Sequence, residues 1–180
     1  MSKSLITEET REVYLNRLKK LQDYKFSERG DDLFVTKLIV ESEQINNLHV
    51  KARINDLEIH NDALEEMGGS RTAPTPVESL ISCFANCLET SAMLYFSFSK
   101  LKINSIKVKV EATYDKRYVL PDEGAPLPGL YDIKYTWYID TLEPFEKIEK
   151  VLKKVEKYCP VKGTFSRTHK YQQNIVLINR

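Results

Sequence analysis

The sequence predicts an α+β fold in which strands pack around one long, buried central helix. Three observations carry this expectation. The order of segments is helix, three strands, helix, two strands, helix, strand, so the strands cluster instead of alternating singly with helices. The central helix has a sharply punctuated start at Thr75. Two long stretches near residues 106–114 and 131–139 alternate apolar and polar side chains, the period of a half-buried strand.

Composition is consistent with this class. The chain has 180 residues, of which 42% are hydrophobic and 29% charged, with only six glycines and seven prolines. Such a mixture excludes a disordered, collagenous or low-complexity chain. The 27 Lys and Arg against 26 Asp and Glu leave a net charge of +1. No overall field draws the chain to nucleic acid or to an anionic membrane, and neither is expected as a partner. At this length roughly 70% of the unfolded surface can be buried, so stability requires neither a disulfide framework nor a structural metal. Residues 1–24 are expected to form a helical extension, and 25–180 a single domain.

Residues 8–22 place Tyr14, Leu18 and Leu21 at helical spacing, with Glu8 and Glu9 at the positive end of the macrodipole and Lys19 and Lys20 toward the negative end. Residues 33–40, 49–54 and 57–59 read as strands, and Asn55-Asp56 is a plausible hairpin turn between the last two. Gly68-Gly69 marks a bend. In the central helix Thr75 is the cap, Pro76 occupies the first helical position, and Glu78 is placed to reach back to the cap's N–H. The helix is expected to run to about Lys100. Its apolar stretch is interrupted by Glu78, Asn86 and Glu89, which suits a buried helix and not a membrane span. Between the two long strands, Leu120 to Gly129 holds three prolines and two glycines and must be a loop. Pro144 opens a helix with Phe145, Ile148, Leu152, Val155 and Cys159 on one face, ended by Pro160. Residues 174–178 read as a closing strand.

The three cysteines are therefore available for chemistry or for packing. Their odd number, and a start without the basic, apolar, small-residue order of a secretory signal, lead us to expect a reducing cytoplasm. Cys83 and Cys87 lie four apart on the central helix and point to about the same face, a geometry poor for a mutual disulfide. A zinc set of Cys83, Cys87, Cys159 and one of His49, His60 or His169 lacks any CxxC or HxxxH pair. No Rossmann glycine fingerprint, P-loop, HExxH or GxSxG is present, so no cofactor or metal is expected. A redox pair between helices is the sharper reading, with packing as small buried hydrophobes the alternative. Cys87 lies beyond the first turn of its helix and needs a cation to stabilise its thiolate; Arg53, Arg71 and Arg167 are the candidates. Cys159, at the negative end of a helix, is expected to have a raised pKa and to suit attack on a sulfur already oxidised.

The run T-P-V-E-S-L-I-S-C-F-A-N-C, from Thr75 to Cys87, and Y-C-P-V, from Tyr158 to Val161, resemble the motifs of the OsmC/Ohr family, the osmotically inducible protein C and organic hydroperoxide resistance proteins. The likeness spans about residues 50–180. It implies an intertwined homodimer with long helices crossing at its centre and two sites at the subunit interface. It further implies a stress-response antioxidant that reduces small organic hydroperoxides. In this reading Cys87 becomes a sulfenic acid, Cys159 resolves it as a disulfide, and a dithiol reductant recycles the pair. An arginine and a glutamate activate the first cysteine: Glu78 matches the glutamate one place later than in hydroperoxide-resistance proteins proper, where Val77 stands here. Arg53 takes the arginine's place by chain order, with Arg71 second. Cys83 is extra to the pattern and reads as a packing residue. Tyr131, Tyr135 and Trp137 read as sheet core before pocket lining. The alternative is a non-catalytic dimeric module binding a small apolar or acyl ligand at the interface.

Overall fold

The organising element is the helix α2, Pro76–Ser99. Its expected start is realised in full: Thr75 Oγ1 accepts from the Glu78 N–H at 3.3 Å, and Glu78 Oε2 accepts from the Thr75 N–H at 2.8 Å. The capping box thus satisfies two donors that a helix start leaves orphaned. Phe84, Leu88, Ala92 and Phe96 recur every four residues and form its buried stripe. In the computed structural model, residues 5–24 and 34–178 are described.

The remaining elements, in order, are α1 (Glu8–Tyr24), β1 (Glu41–Asn46), β2 (His49–Ile54), β3 (Leu57–Asn61), β4 (Ile103–Thr113), β5 (Tyr131–Thr141), α3 (Phe145–Tyr158) and α4 (Pro160–Phe165). The fold is α+β, as expected. β4 and β5 pair antiparallel, and α2 packs against β4 with α3 and α4 beside it. Ile103 and Val108 from β4 meet the α2 stripe and Ile148, Val151, Val155 and Cys159 in one core. Tyr135 and Trp137 pack against that core from β5, whereas Tyr131 is exposed. α1 docks on α2 through Tyr14, whose ring stacks on Phe98 at 5.5 Å.

β1, β2 and β3 form a separate antiparallel sheet in that order. The Asn55-Asp56 turn forms, with Asn55 at φ 55. One face is charged: Lys51 Nζ lies 3.2 Å from Glu43 and 3.3 Å from Glu58, and Arg53 Nη2 lies 3.3 Å from Glu58. The other carries Val50, Ala52, Ile54, Leu57 and Ile59, placed there by the Ala52–Ile59 and Ile54–Leu57 pairs. No residue of this sheet belongs to the core. Leu57 is 68% exposed and Ile59 42%.

Five expectations need correction. The first strand is not at residues 33–40: residue 33 lies outside the described residues, and 34–40 form no strand, with Leu38 82% exposed. The strand is the polar segment Glu41–Asn46, selected because Glu41 and Glu43 face Arg53 and Lys51 across a two-residue connection at Asn47-Leu48. Residues 174–178 form no strand, and Ile175 to Ile178 are exposed; no described strand lies beside them to supply hydrogen bonds. Pro160 ends one helix but also opens the next, α4, where its fixed φ and missing N–H suit a first position. Phe145, expected on the buried face of α3, is 74% exposed, and Val151 takes its part in the core. Last, α2 is buried along one stripe and not all round, since β1–β3 do not lie over it; Val77, Leu80 and Cys83 are exposed.

Candidate active site

Cys87 sits three turns into α2, half-buried at the edge of the stripe beside Leu88. Cys159 follows the last residue of α3 and is 2% exposed. The amphipathic pattern of α3 turns Ile148, Val151 and Val155 onto α2, and the same face delivers Cys159 to Cys87. The Cys159 thiol donates to Cys87 Sγ at 3.3 Å. A bonded pair lies at about 2.05 Å, so a closure of little more than about 1 Å converts the contact into a disulfide. All three thiols are free.

The electrostatic setting of Cys159 differs from the expected one. It is not simply at the negative end of a helix, because it also caps α4, and its sulfur accepts from the Lys162 N–H at 3.5 Å. Burial nevertheless pushes its pKa up, the neighbouring Cys87 adds to that, and the Lys162 N–H pulls the other way. The expected direction therefore holds with desolvation, not the helix dipole, as its main cause.

The other expected site residues do not gather at the thiols. Glu78 is gripped by Arg71 through two bonds, Nη1 to Oε2 at 2.5 Å and Nη2 to Oε1 at 2.7 Å. The Arg71 guanidinium, with the Thr75 N–H, holds the Glu78 carboxyl down to about 2. Glu78 precedes Cys87 by nine residues, which on a helix is about 13.5 Å along the axis and about 180° around it. Within one chain the Arg71–Glu78 pair therefore cannot serve Cys87. Arg53 is held by Glu58 on the charged sheet face and makes no hydrogen bond or ion pair with either thiol among the described residues. Arg167 lines a depression beside Cys159 with Lys157 and His169 and makes no hydrogen bond to either thiol among the described residues. Cys83 is exposed, one turn before Cys87, and so is not the packed residue expected. Among the described residues no group of three or more His, Cys, Asp or Glu gathers to hold a metal, so the cysteine–histidine zinc set is not assembled.

Sequence reasoning missed the device that presents Arg71. Asp62, 2% exposed, accepts from the N–H groups of Ala63, Ser70 and Thr72 and from Thr72 Oγ1, at 2.8 to 3.2 Å. Those bonds, led by the Thr72 N–H, lower its pKa. They fold residues 62–72 into a tight loop in which Arg71 takes a left-handed φ of 52. The Asp before a Gly-Gly-Ser-Arg-Thr run was the available signal. An apolar cavity of about 380 Å³ opens beside this loop, between Met67, Val77, Tyr114, Tyr118 and Val119.

Comparison with known proteins agrees with this architecture. The chain is similar in fold to an OsmC-like protein from Mycoplasma pneumoniae, with 21% identity, a TM-score of 0.62, and coverage of 73% of this chain and 88% of that one. It is similar to the organic hydroperoxide resistance protein OsmC from Legionella pneumophila at 18% identity and TM-score 0.52, covering 73% and 90%. An organic hydroperoxide resistance protein from Elizabethkingia anophelis matches at 14% identity and TM-score 0.53, covering 72% and 88%. No curated protein sequence matches the chain. The family model described as OsmC-like protein matches residues 68–172, more than half of the chain, and includes both Cys87 and Cys159: the chain belongs to the OsmC-like family.

Proposed function

We propose that this chain is a thiol-dependent peroxidase that reduces organic hydroperoxides through Cys87 and Cys159. The observation that carries the reading is the 3.3 Å separation of the two sulfurs, one half-buried and one fully buried. Relatives of the same fold named as organic hydroperoxide resistance proteins support it. The Cys87 thiolate attacks the distal peroxide oxygen, the O–O bond breaks, and the alkoxide leaves as an alcohol after taking a proton. Cys87 is then a sulfenic acid. The Cys159 sulfur attacks it, the S–O bond breaks, water leaves, and the Cys87–Cys159 disulfide remains. A cellular dithiol returns both thiols by exchange.

The thiolate needs a nearby cation, and among the described residues none of Arg53, Arg71 and Arg167 hydrogen-bonds to Cys87. We assign that cation to a second copy, in a homodimer whose interface covers the exposed face of α2 and the apolar face of β1–β3. Arg71, already paired with Glu78 at a helix start, replaces Arg53 as the preferred residue. An arginine within about 4–6 Å of the sulfur would favour the thiolate strongly.

The test is a thiol count. Reduced protein mixed with one equivalent of cumene hydroperoxide should lose two thiols per chain, with a Cys87–Cys159 link in peptide maps and no loss in Cys87→Ser. Unchanged thiols would sink the proposal. The cavity of about 380 Å³ favours a second reading, a non-enzymatic module that binds a small apolar or acyl ligand. That reading predicts unchanged thiols together with a ligand retained in native mass spectra.

A further inference from the structure

On the charged face of the first sheet, far in role from the thiols, His49 and His60 face each other. Register pairs Lys51 with His60, so His49 is the diagonal neighbour of His60 on the same face. His49 Nε2 lies 3.1 Å from His60 Nδ1, with the rings tilted by 56°. Two nitrogens bound to one divalent ion at about 2.0–2.1 Å, at angles between square-planar and tetrahedral, stand about 2.8–3.4 Å apart. The two rings hydrogen-bond to each other at this distance, which also falls within the range of a chelating pair, so that a metal ion takes the place of the shared proton on binding.

A second observation concerns the remaining nitrogen of His60. Its Nε2 lies 3.8 Å from Glu58 Oε2, too long for a direct hydrogen bond but within ion-pair reach. A carboxylate on the far nitrogen is the usual outer partner of a metal-binding imidazole. It favours the proton on Nε2 and leaves the Nδ1 lone pair directed at His49. The strands fix both backbones, so little ordering entropy opposes binding.

The surrounding charge does not repel a cation. Lys51 and Arg53 are the basic groups on this face, against Glu41, Glu43 and Glu58. Lys51 is engaged by Glu43 and Glu58, and Arg53 by Glu58.

We propose that His49 and His60 form a surface site for one borderline divalent transition-metal ion, such as Zn(II) or Cu(II), with water completing the coordination and Glu58 orienting His60. The site is independent of the peroxidase reading.

Zinc is titrated by calorimetry into the full chain carrying Cys83→Ser, Cys87→Ser and Cys159→Ser, which removes thiolate ligands. One ion per chain should bind, at least about tenfold more weakly in His49→Ala and in His60→Gln, and about tenfold more weakly in Glu58→Gln. In the same protein without histidine changes, substoichiometric Cu(II) should broaden the imidazole NMR signals of His49 and His60 and leave His169 sharp. The last measurement needs no folded histidine variant. Absence of saturable binding, affinity unchanged by the histidine substitutions, or equal broadening of all three histidines overturns the proposal.

Discussion

Cys159 donates its thiol hydrogen to Cys87 Sγ across 3.3 Å, although 72 residues separate them in the chain. The contact is not held by the cysteines themselves. It is produced by α2 and α3, which pack Phe84 and Leu88 against Val151 and Val155 within one core, so the sulfurs meet where two rigid helices already converge. Oxidation of the pair would therefore require little movement of the backbone, and the reduced pair would not need to search for its partner.

The two site thiols should differ in reactivity in a fixed order. Cys87 is half-buried, and Cys159 is buried with a raised pKa. With limiting iodoacetamide near pH 8, mass mapping should find Cys87 labelled before Cys159, since the thiolate is the nucleophile and burial suppresses both its population and its access. Cys87→Ser, which removes the sulfur that raises the Cys159 pKa, should speed Cys159 labelling. Labelling of Cys159 ahead of Cys87 would contradict the described packing.

The start of α2 should be acid-sensitive. Glu78 is held down to about 2 by Arg71 and the Thr75 N–H. A carboxylate whose folded pKa is depressed contributes stability that is present above its unfolded value, about 4.3, and is lost as pH falls toward 2. The side chain is 46% exposed, so solvent screening leaves about 1 kcal/mol of this. Glu78→Gln should cost that amount at pH 7 and little at pH 2.5, read as urea midpoints. An equal loss at both pH values would remove the ion pair from the account.

Gly69 is where the loop before α2 tolerates no side chain. A Cβ there would sit 2.2 Å from the Ala63 carbonyl oxygen and 2.8 Å from its Cα, both backbone. The overlap can be relieved only by moving residues 62–72, which Asp62 holds. Gly69→Ala should cost about 1–3 kcal/mol by thermal unfolding, as overpacking does. Gly68→Ala meets no atom but sits at φ 86, so it should be strained by backbone conformation alone.

The capped helix, the two long alternating strands and the Asn55-Asp56 turn were legible because each is decided locally, by a cap, a period or a positive φ. β1 was not legible. Its residues are polar, and its strand exists only because Glu41 and Glu43 meet Arg53 and Lys51 on a neighbour. The apolar runs 34–40 and 174–178 carry strand-like side chains without strand partners among the described residues, which periodicity cannot know. At the site, the Cys87–Cys159 pairing was readable from motif positions. The Arg71–Glu78 pair was not, because it depends on the loop folded by Asp62, and Arg53 was preferred on chain order alone.

Unpartnered apolar surface gives the last prediction. Leu57 is 68% exposed, Ile59 42%, Leu80 46%, and Ile175 to Ile178 between 77% and 83%, spread over an uncovered sheet face, an uncovered helix face and an extended segment. Surface of this kind across several elements of one domain marks an interface. The protein should sediment as a dimer at micromolar concentration. Leu57→Lys with Ile59→Lys places two charges on the apolar face of β1–β3. If each side chain contributes about 1.5–3 kcal/mol by burial, the dimer should weaken by at least about a hundredfold. The core formed by α2, α3 and β4 contains neither residue, so near-ultraviolet circular dichroism should keep its folded signature in the variant. If the activating arginine comes from the second copy, the same variant should lose peroxide-dependent thiol oxidation in step with dissociation, and raising its concentration should restore the rate. A monomeric wild-type chain that still oxidises both thiols rapidly would show that the cation is supplied from within one chain.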